Sequence, residues 1–269
     1  MDNLEKRYYE ASQFWSDGVL DDKENKERIE VTIGIIPPDV QSLLDAGCGN
    51  GVFLNTLLKS RPAIQGRGFD RSEEALKYVN VPKSIGDVTD IQFGDQQFDC
   101  VSCLEVIEHI PLTTYKKALS ELARVSKKYL LISVPYNEDL MDDSTQCPSC
   151  KSVFNANLHL RSYNERNFIH SFDEFGFECS KHVLAGPKRI YRFHKEYKKL
   201  FYPTQFKNWR SPLCPICGYQ AENSPIRSMN TNTQPVHSSF KSVITGIPKM
   251  IWPKETKYYW IIGLFERKN

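Results

Sequence analysis

Apolar positions along this chain fall into short blocks whose spacing switches between two periods. QSLLDAG (41–47) is a brief apolar run closing on glycine, which predicts a strand. VFLNTLLK (52–59) repeats its apolar residues at helical spacing. GRGFD (66–70) predicts a second strand and SEEALKYV a helix. Ser72 is placed to cap that helix, because its hydroxyl can accept from free backbone N–H groups. SIGDV (84–88) and FDCVSCLEV (98–106) predict a third and a fourth strand. LTTYKKALSELARV (112–125) predicts an amphipathic helix and YLLISVP (129–135) a fifth strand. Strands alternating with helices argue for βαβ units and a parallel sheet, since parallel strands need crossovers.

Before this alternation, residues 3–16 and 22–35 read as two helices, with Tyr8, Tyr9, Phe14 and Trp15 clustered in the first. After Pro135 the regularity breaks. NERNFIHSFDEFGF (164–177) resumes as a helix ending at Gly176, and ECSKHVLA (178–185) predicts a sixth strand. KYYWIIGLFER (257–267) predicts a last strand that returns to the sheet. The expected organisation is a core over 1–135, a first insertion over 136–162, a core helix and strand over 163–185, a second and basic insertion over 186–256, and a final core strand over 257–269.

Composition changes this picture little. Apolar residues make up 40% of the 269 and charged residues 25%, both ordinary for a globular chain. No apolar run approaches the ~20 residues of a membrane helix. The start, MDNLEKRYYEASQFW, has no apolar signal core, so a cytoplasmic location is expected. Charge is more telling. Residues 1–179 hold 19 Lys and Arg against 29 Asp and Glu, whereas 180–269 hold 16 against four glutamates. A basic third of a chain suits an anionic partner (nucleic acid, a phosphorylated small molecule, a membrane surface), or it packs on the acidic remainder.

The densest chemistry lies in LLDAGCGNGVFL (43–54). Gly47, Gly49 and Gly51 allow a tight turn and close ligand approach after the strand end at Asp45, with Cys48 and Asn50 inside the loop. The helix that follows offers unpaired N–H groups. The spacing is GxGxG after an acid. An acid two positions before the first glycine repels the pyrophosphate that a GxGxxG turn favours, and suits a cationic amine instead. Asp70, followed by Arg71, closes the second strand, where a carboxylate can accept from both hydroxyls of a ribose. Asp87, beside Val88, ends the third strand, where an acid can accept from an adenine amino group. Glu105 follows the fourth strand and opens toward the carboxyl edge of the sheet, the edge at which open α/β sheets bind ligands.

With these stretches in place, the sequence resembles the class I S-adenosylmethionine-dependent methyltransferases. The resemblance is carried by LLDAGCGNG, GFDRSEEAL, GDVTDIQFGDQQFDCVSCLEVIEHI and LLISVP, over roughly residues 40–185 plus the final strand. It implies a Rossmann-like, doubly wound α/β sheet of seven strands, mostly parallel with an antiparallel last strand. It implies that Asp45 and the Gly47–Gly51 loop hold the methionine portion of the cofactor, that Asp70 holds the ribose, that Asp87 and Val88 flank the adenine, and that the N-terminal helices cover the cofactor. A dinucleotide-binding domain whose glycines only turn the chain is the competing reading.

Four of the eight cysteines form two CxxC pairs, Cys147 with Cys150 and Cys214 with Cys217. Two such pairs complete a closed tetrahedral zinc site, which predicts a small structural zinc module joining the two insertions. A redox CxxC would need only one pair. His159 or His170 could complete an open catalytic zinc, but four cysteines leave no need of it. Cys48, Cys100, Cys103 and Cys179 lie in apolar surroundings and read as small buried residues.

On the acceptor side, NLHLRSYNERNF (157–168) holds a His-x-Arg-Ser-Tyr stretch that resembles one near the active-site mouth of small-molecule members of the same family. His159 and Arg161 are thus candidates for proton removal and substrate contact. His109, in EVIEHIP, resembles a family signature residue that fixes a turn, with proton transfer as its other reading. KRIYRFHKEYKKLFYPTQFKNWR (188–210) interleaves basic and aromatic residues, which fits a membrane-surface helix, an RNA contact or docking on the protein itself. Three accounts of function follow: methyl transfer to an oxygen or nitrogen of a small molecule or glycan, phosphate-linked if the basic segment binds it; methyl transfer to RNA or protein through the zinc module; and a non-catalytic, cofactor-binding scaffold.

Overall fold

A computed structural model of the chain describes residues 9–10, 15, 23–191, 213–219 and 254–268. The helix expected over 3–16, the basic stretch beyond Tyr191 and most of the second insertion lie outside the described residues.

The described elements run α1 (Lys23–Gly34), β1 (Ser42–Ala46), α2 (Val52–Ser60), β2 (Gln65–Asp70), α3 (Glu73–Leu76), β3 (Lys83–Ile85), β4 (Phe98–Leu104), α4 (Leu112–Val125), β5 (Ser126–Pro135), β6 (Ser144–Gln146), β7 (Val153–Asn155), α5 (Glu165–Ile169), a 3-10 turn (Asp173–Phe175), β8 (Phe177–Tyr191) and β9 (Lys254–Arg267). Seven strands form one sheet in the order β3-β2-β1-β4-β5-β9-β8. Pairing is parallel from β3 to β5, and β9 is antiparallel to both neighbours. This is the expected doubly wound sheet, with the last strand in the chain reversed. The order turns back at β1 and β4, which opens a crevice at their carboxyl ends.

Burial explains why these segments became strands. Leu43, Leu44 and Ala46 of β1 and Leu130 to Ile132 of β5 have no exposed surface, so both faces of the sheet are covered. One core cluster places Phe69, Val101, Leu119, Leu122, Phe168 and Phe265 on one side. The other places Ile29, Leu54, Leu57, Leu131 and Ile262 opposite. The helix α4 carries Ala118, Leu119, Leu122, Ala123 and Val125 on its buried stripe, as its spacing predicts.

Three segments differ from the sequence reading. The run 164–177 is not one helix. It opens as α5 with a reciprocal cap between Asn164 and Asn167, stops at His170, and resumes as the 3-10 turn before Gly176, whose φ is 79°. The Ser171 hydroxyl binds the Phe168 carbonyl instead of leaving it to the helix ladder. The third strand stops at Ile85, and Asp87 falls in a turn. The sixth strand does not end at Ala185: β8 continues to Tyr191, paired with β9 from Lys254, because antiparallel pairing satisfies the backbone of this arm without an apolar face. Cys48, Cys100 and Cys103 are buried as expected, but Cys179 is half-exposed beside a bulge in β8.

Candidate active site and cysteine cluster

The strand β1 ends in a loop that folds back on β2. The N–H groups of Gly47 and Cys48 both donate to the Phe69 carbonyl, at 2.7 and 3.1 Å. This tight return requires glycine. Gly47 has φ +80°, and a Cβ there would stand 2.4 Å from a methyl of Val106. A Cβ on Gly49, φ +52°, would meet the Trp15 ring at 2.8 Å. Gly51 starts α2 with no side-chain cap, so among the described residues no side chain claims the first-turn N–H groups.

Two carboxylates frame the loop. Asp45 is 2% exposed, and its Oδ1 accepts from the Ser102 hydroxyl at 2.7 Å across the β1–β4 switch. Burial raises its pKa to about 7. Asp70 holds the loop in shape: Oδ2 accepts from Gly49 N and Oδ1 from Ser72 N, both at 2.8 Å. Burial raises its pKa too, against the pull of those two amides. The Ser72 hydroxyl caps α3 by accepting from Ala75 N, as expected, and donates to the Tyr9 carbonyl. Asn50 reaches the Trp15 carbonyl, and the Arg71 guanidinium lies over the Tyr9 ring. Cys48 is buried against Leu76 and Val79, and burial holds its thiol far above the ordinary range.

Asp87 and Val88 lie beyond β3. Asp87 Oδ1 accepts from both the amide and the hydroxyl of Thr89 at 2.8 Å, while Val88 packs on the main core. Glu105 has a left-handed backbone, φ +58°. Its carboxylate accepts from Ser133 Oγ and Trp260 Nε1, each at 2.8 Å, and Arg28 stands 3.8 Å away. A non-glycine residue held there signals local constraint beside a ligand cleft. Arg28 and Trp260 come from distant segments and carried no sequence signal.

Past Glu105 the chain gathers a second group. His109 Nδ1 meets the Tyr9 hydroxyl at 3.1 Å, and the His109 and His159 rings stack edge to face at 4.7 Å. His159 Nδ1 is 2.5 Å from Glu138 Oε2. Glu108 is fully buried, and neither carboxylate oxygen has a hydrogen-bond partner among the described residues. Burial pushes its pKa well up, reinforced by Glu105. Burial, with His159 alongside, brings His109 down to about 3. Tyr9 thus touches both groups, the cofactor-loop side through Ser72 and the imidazole pair through its hydroxyl. Arg161 donates to the Ile110 carbonyl and lies over the Tyr115 ring at 3.7 Å, which fixes it as a brace of this wall. The sequence singled out both histidines and Arg161. It gave no sign of Glu138 or Glu108 as their companions.

The four knuckle cysteines do converge. Cys147 and Cys217 Sγ are 3.7 Å apart, Cys150 and Cys214 Sγ 3.8 Å, and all four sulfurs lie within 4.8 Å of one another. Both knuckles have one design. Lys151 N donates to Cys147 O and Gly218 N to Cys214 O, each from a left-handed residue, φ 63° and 73°. The Ser152 hydroxyl draws the Cys150 pKa to about 6, whereas burial pushes Cys214 to about 12. Next to the second knuckle, Leu213 packs with Leu158, Phe154 and Tyr9. His170 lies apart, bonded to Asp173.

With this geometry established, comparison with known proteins is informative. A family model described as a methyltransferase domain matches residues 19–182. An uncharacterized protein of Methanocaldococcus jannaschii is 38% identical over 100 residues, 36% of this chain and 41% of that protein. The ubiquinone biosynthesis O-methyltransferase of Neisseria meningitidis is 29% identical over 80 residues, 26% of this chain and 33% of that enzyme. The chain therefore spans about two fifths or less of the length of these curated relatives. In fold it is similar to a SAM-dependent methyltransferase of Thermotoga maritima, with a TM-score of 0.55 at 15% identity over 100% of both chains.

Proposed function

The chain belongs to the methyltransferase domain family, and from that premise we propose that it moves a methyl group from S-adenosylmethionine to an oxygen or nitrogen of a small molecule or glycan, a hydroxyl oxygen first. The observation that carries this reading is the juxtaposition, through Tyr9 and His109, of the glycine loop between Asp45 and Asp70 with the His159–Glu138 pair.

The residues present fit the cofactor. The first turn of α2 has no side-chain cap among the described residues, and a buried carboxylate at each strand end offers lone pairs to an amine and to ribose hydroxyls. In this reading Asp45 and the loop Gly47, Cys48, Asn50 and Gly51 hold the amino-acid end, Asp70 with Arg71 the ribose side, and Asp87 with Val88 the adenine. Glu105 shapes the loop behind them. The cofactor supplies an activated methyl on a sulfonium. The protein's work is then alignment, since an in-line displacement gains most from a near-attack geometry. His159 serves the acceptor. Glu138 fixes its Nδ1, leaving Nε2 with a lone pair for a hydroxyl proton. Arg161 and His109 brace the wall. The Neisseria relative named as an O-methyltransferase supports an oxygen acceptor.

The four cysteines fit a structural zinc ion. Thiolates at about 2.3 Å from zinc in a tetrahedron lie about 3.8 Å from one another. The pairs at 3.7 and 3.8 Å match that edge. Zinc would then clasp the two insertions beside the acceptor wall, as a module separate from the sheet.

The test is label transfer. Protein and methyl-labelled cofactor are incubated with a cell extract, which is separated into RNA, protein, lipid-glycan and small-molecule pools. Label is expected in the small-molecule or glycan pool and absent with Asp70→Ala. Label in RNA, with affinity falling steeply as salt rises, would replace this reading by the polymer one. No label despite cofactor binding would favour a scaffold.

A further inference from the structure

The strands β8 and β9 run further than the sheet they close. β5 stops at Pro135, opposite Trp260. Beyond that point Pro187 to Tyr191 stay paired with Lys254 to Tyr258, as a two-stranded ribbon with no third strand among the described residues. At about 3.4 Å per residue the ribbon reaches roughly 17 Å past the end of β5. Because β9 is antiparallel to β5, the ribbon leaves from the carboxyl edge of the parallel strands, the edge that carries the crevice.

The ribbon is lopsided in charge. It holds Lys188, Arg189, Lys254 and Lys257 against one acid, Glu255. Lys188 and Lys257 are direct cross-strand partners, and both are exposed. Directly opposite residues share a face with Cβ atoms about 5 Å apart, and like charges there are destabilising. The fold gains nothing from this pair, so its counter-charge is sought outside the fold. Both ammonium groups are also steadied. Lys188 Nζ donates to the Tyr259 hydroxyl at 2.5 Å and lies 5.2 Å from the centre of its ring. Lys257 Nζ stands 3.5 Å from a Glu255 oxygen, in a solvent-open pair that screening keeps weak.

The two lysines lie on the acceptor's side of the sheet. Side chains alternate along a strand, so Lys257 and Tyr259 share a face with Ile261. Ile261 packs in the core cluster that also takes Tyr136 and Tyr163. Tyr136 N donates to the Tyr259 carbonyl at 2.7 Å, and two residues on, Glu138 binds His159. Backbone steps of at most about 3.6 Å per residue therefore keep Lys257 within roughly 20 Å of Glu138. The lysine stems shorten that gap into a range that a sugar joined to a diphosphate can bridge.

We propose that Lys188 and Lys257 receive a diphosphate carried by the acceptor, so that the substrate is a glycosyl diphosphate whose sugar hydroxyl reaches His159. This rests on the methyl-transfer reading and names its substrate class. Two ammonium groups rooted about 5 Å apart match two adjacent phosphoryl groups, which lysine binds as a point charge. RNA is a poorer fit, because one cross-strand pair makes a single anchoring point where a strand needs a continuous track.

The experiment uses the full chain at fixed ionic strength, with inorganic pyrophosphate as the probe in calorimetric titration. One pyrophosphate per chain is expected. Affinity should fall at least tenfold in Lys188→Gln/Lys257→Gln and stay within threefold of the parent in Lys188→Arg/Lys257→Arg. The control Lys117→Gln/Lys127→Gln removes two exposed charges elsewhere and should bind as the parent does. Uridine diphosphate glucose should displace pyrophosphate, and glucose should not. S-adenosylhomocysteine carries no phosphate, and its affinity should be the same in every variant, which also shows that each one folds. The anion site is wrong if pyrophosphate does not bind, if the glutamine pair binds it as well as the parent, if the control loses as much, or if the sugar diphosphate fails to displace it. It is wrong too if oligouridylate or phosphatidylglycerol vesicles bind through the same lysines and pyrophosphate does not compete. In those cases bound S-adenosylhomocysteine leaves the methyl-transfer reading standing. Pyrophosphate bound as expected without any binding of S-adenosylhomocysteine would keep the anion site and remove the methyl-transfer reading.

Discussion

Single residues set the chemistry through burial. Asp45 shows the effect most clearly. Its ordinary pKa of 3.8 is raised to about 7, with burial as the largest cause, then Ser102 opposing it and Asp70 adding to it. A raised acid stabilises the fold below its ordinary value, and that contribution is lost as pH rises toward 7. In the proposed cofactor site it is the ionised form that attracts the cationic amine. Affinity for S-adenosylhomocysteine should therefore weaken as pH falls below 7, approaching about tenfold per pH unit. Calorimetric titration between pH 5.5 and 8.5 checks this, and Asp45→Asn should bind weakly with no such slope. A flat profile in the parent chain would remove Asp45 from the amine site. The acidic strand ends at Asp45 and Asp70 were legible in the sequence because each follows an apolar run. Glu108 was not, because its meaning depends on what fails to reach it.

At the scale of elements, the two knuckles matter for what they press upon. Leu213 leads into the second knuckle and packs with Leu158, the residue before His159, and with Tyr9. Leu158 carries φ +59°, a strained conformation for a leucine that the packing must hold. Stripping the proposed zinc from the cluster, or replacing Cys217 by Ser, should lower Tm by several degrees and reduce acceptor turnover at least tenfold. Binding of S-adenosylhomocysteine should change less than threefold, since the glycine loop hangs on β1, β2 and α2. Equal losses of both would show that the knuckles support the whole sheet. The CxxC spacing announced the cluster itself. Its position against Leu158 could not be read from residues 64 to 70 positions apart.

At the scale of the molecule, Tyr9, Glu10 and Trp15 lie against the crevice that the strand order opens. Trp15 stands over Gly49 and its Nε1 donates to the Tyr9 carbonyl at 2.6 Å, while Glu10 accepts from the first amides of α3. A ligand entering the loop must meet this indole. Its fluorescence should change on addition of S-adenosylhomocysteine, and Trp15→Phe should lose that change while the other three tryptophans remain. An unaltered spectrum with ligand bound would place the cofactor elsewhere. The two ends of the chain meet in the same region: Trp260 of β9 supports Glu105 from one side while α1 supplies Arg28 from the other. Among the described residues no helix is long and apolar enough to cross a membrane.

What the sequence determined by itself was the local alphabet: apolar runs for the strands, the helical stripe of α4, the glycine loop, the acids at strand ends, and the paired cysteines. These signals are written in adjacent residues, because backbone periodicity and turn chemistry act over a few positions. Tertiary structure alone decided the rest. It extended β8 along β9 as far as Tyr191. It also set Glu105 between Arg28 and Trp260, and brought Glu138 and Glu108 to the two histidines. Each of these depends on contacts between residues far apart in the chain, where pairing and desolvation, rather than propensity, choose the outcome.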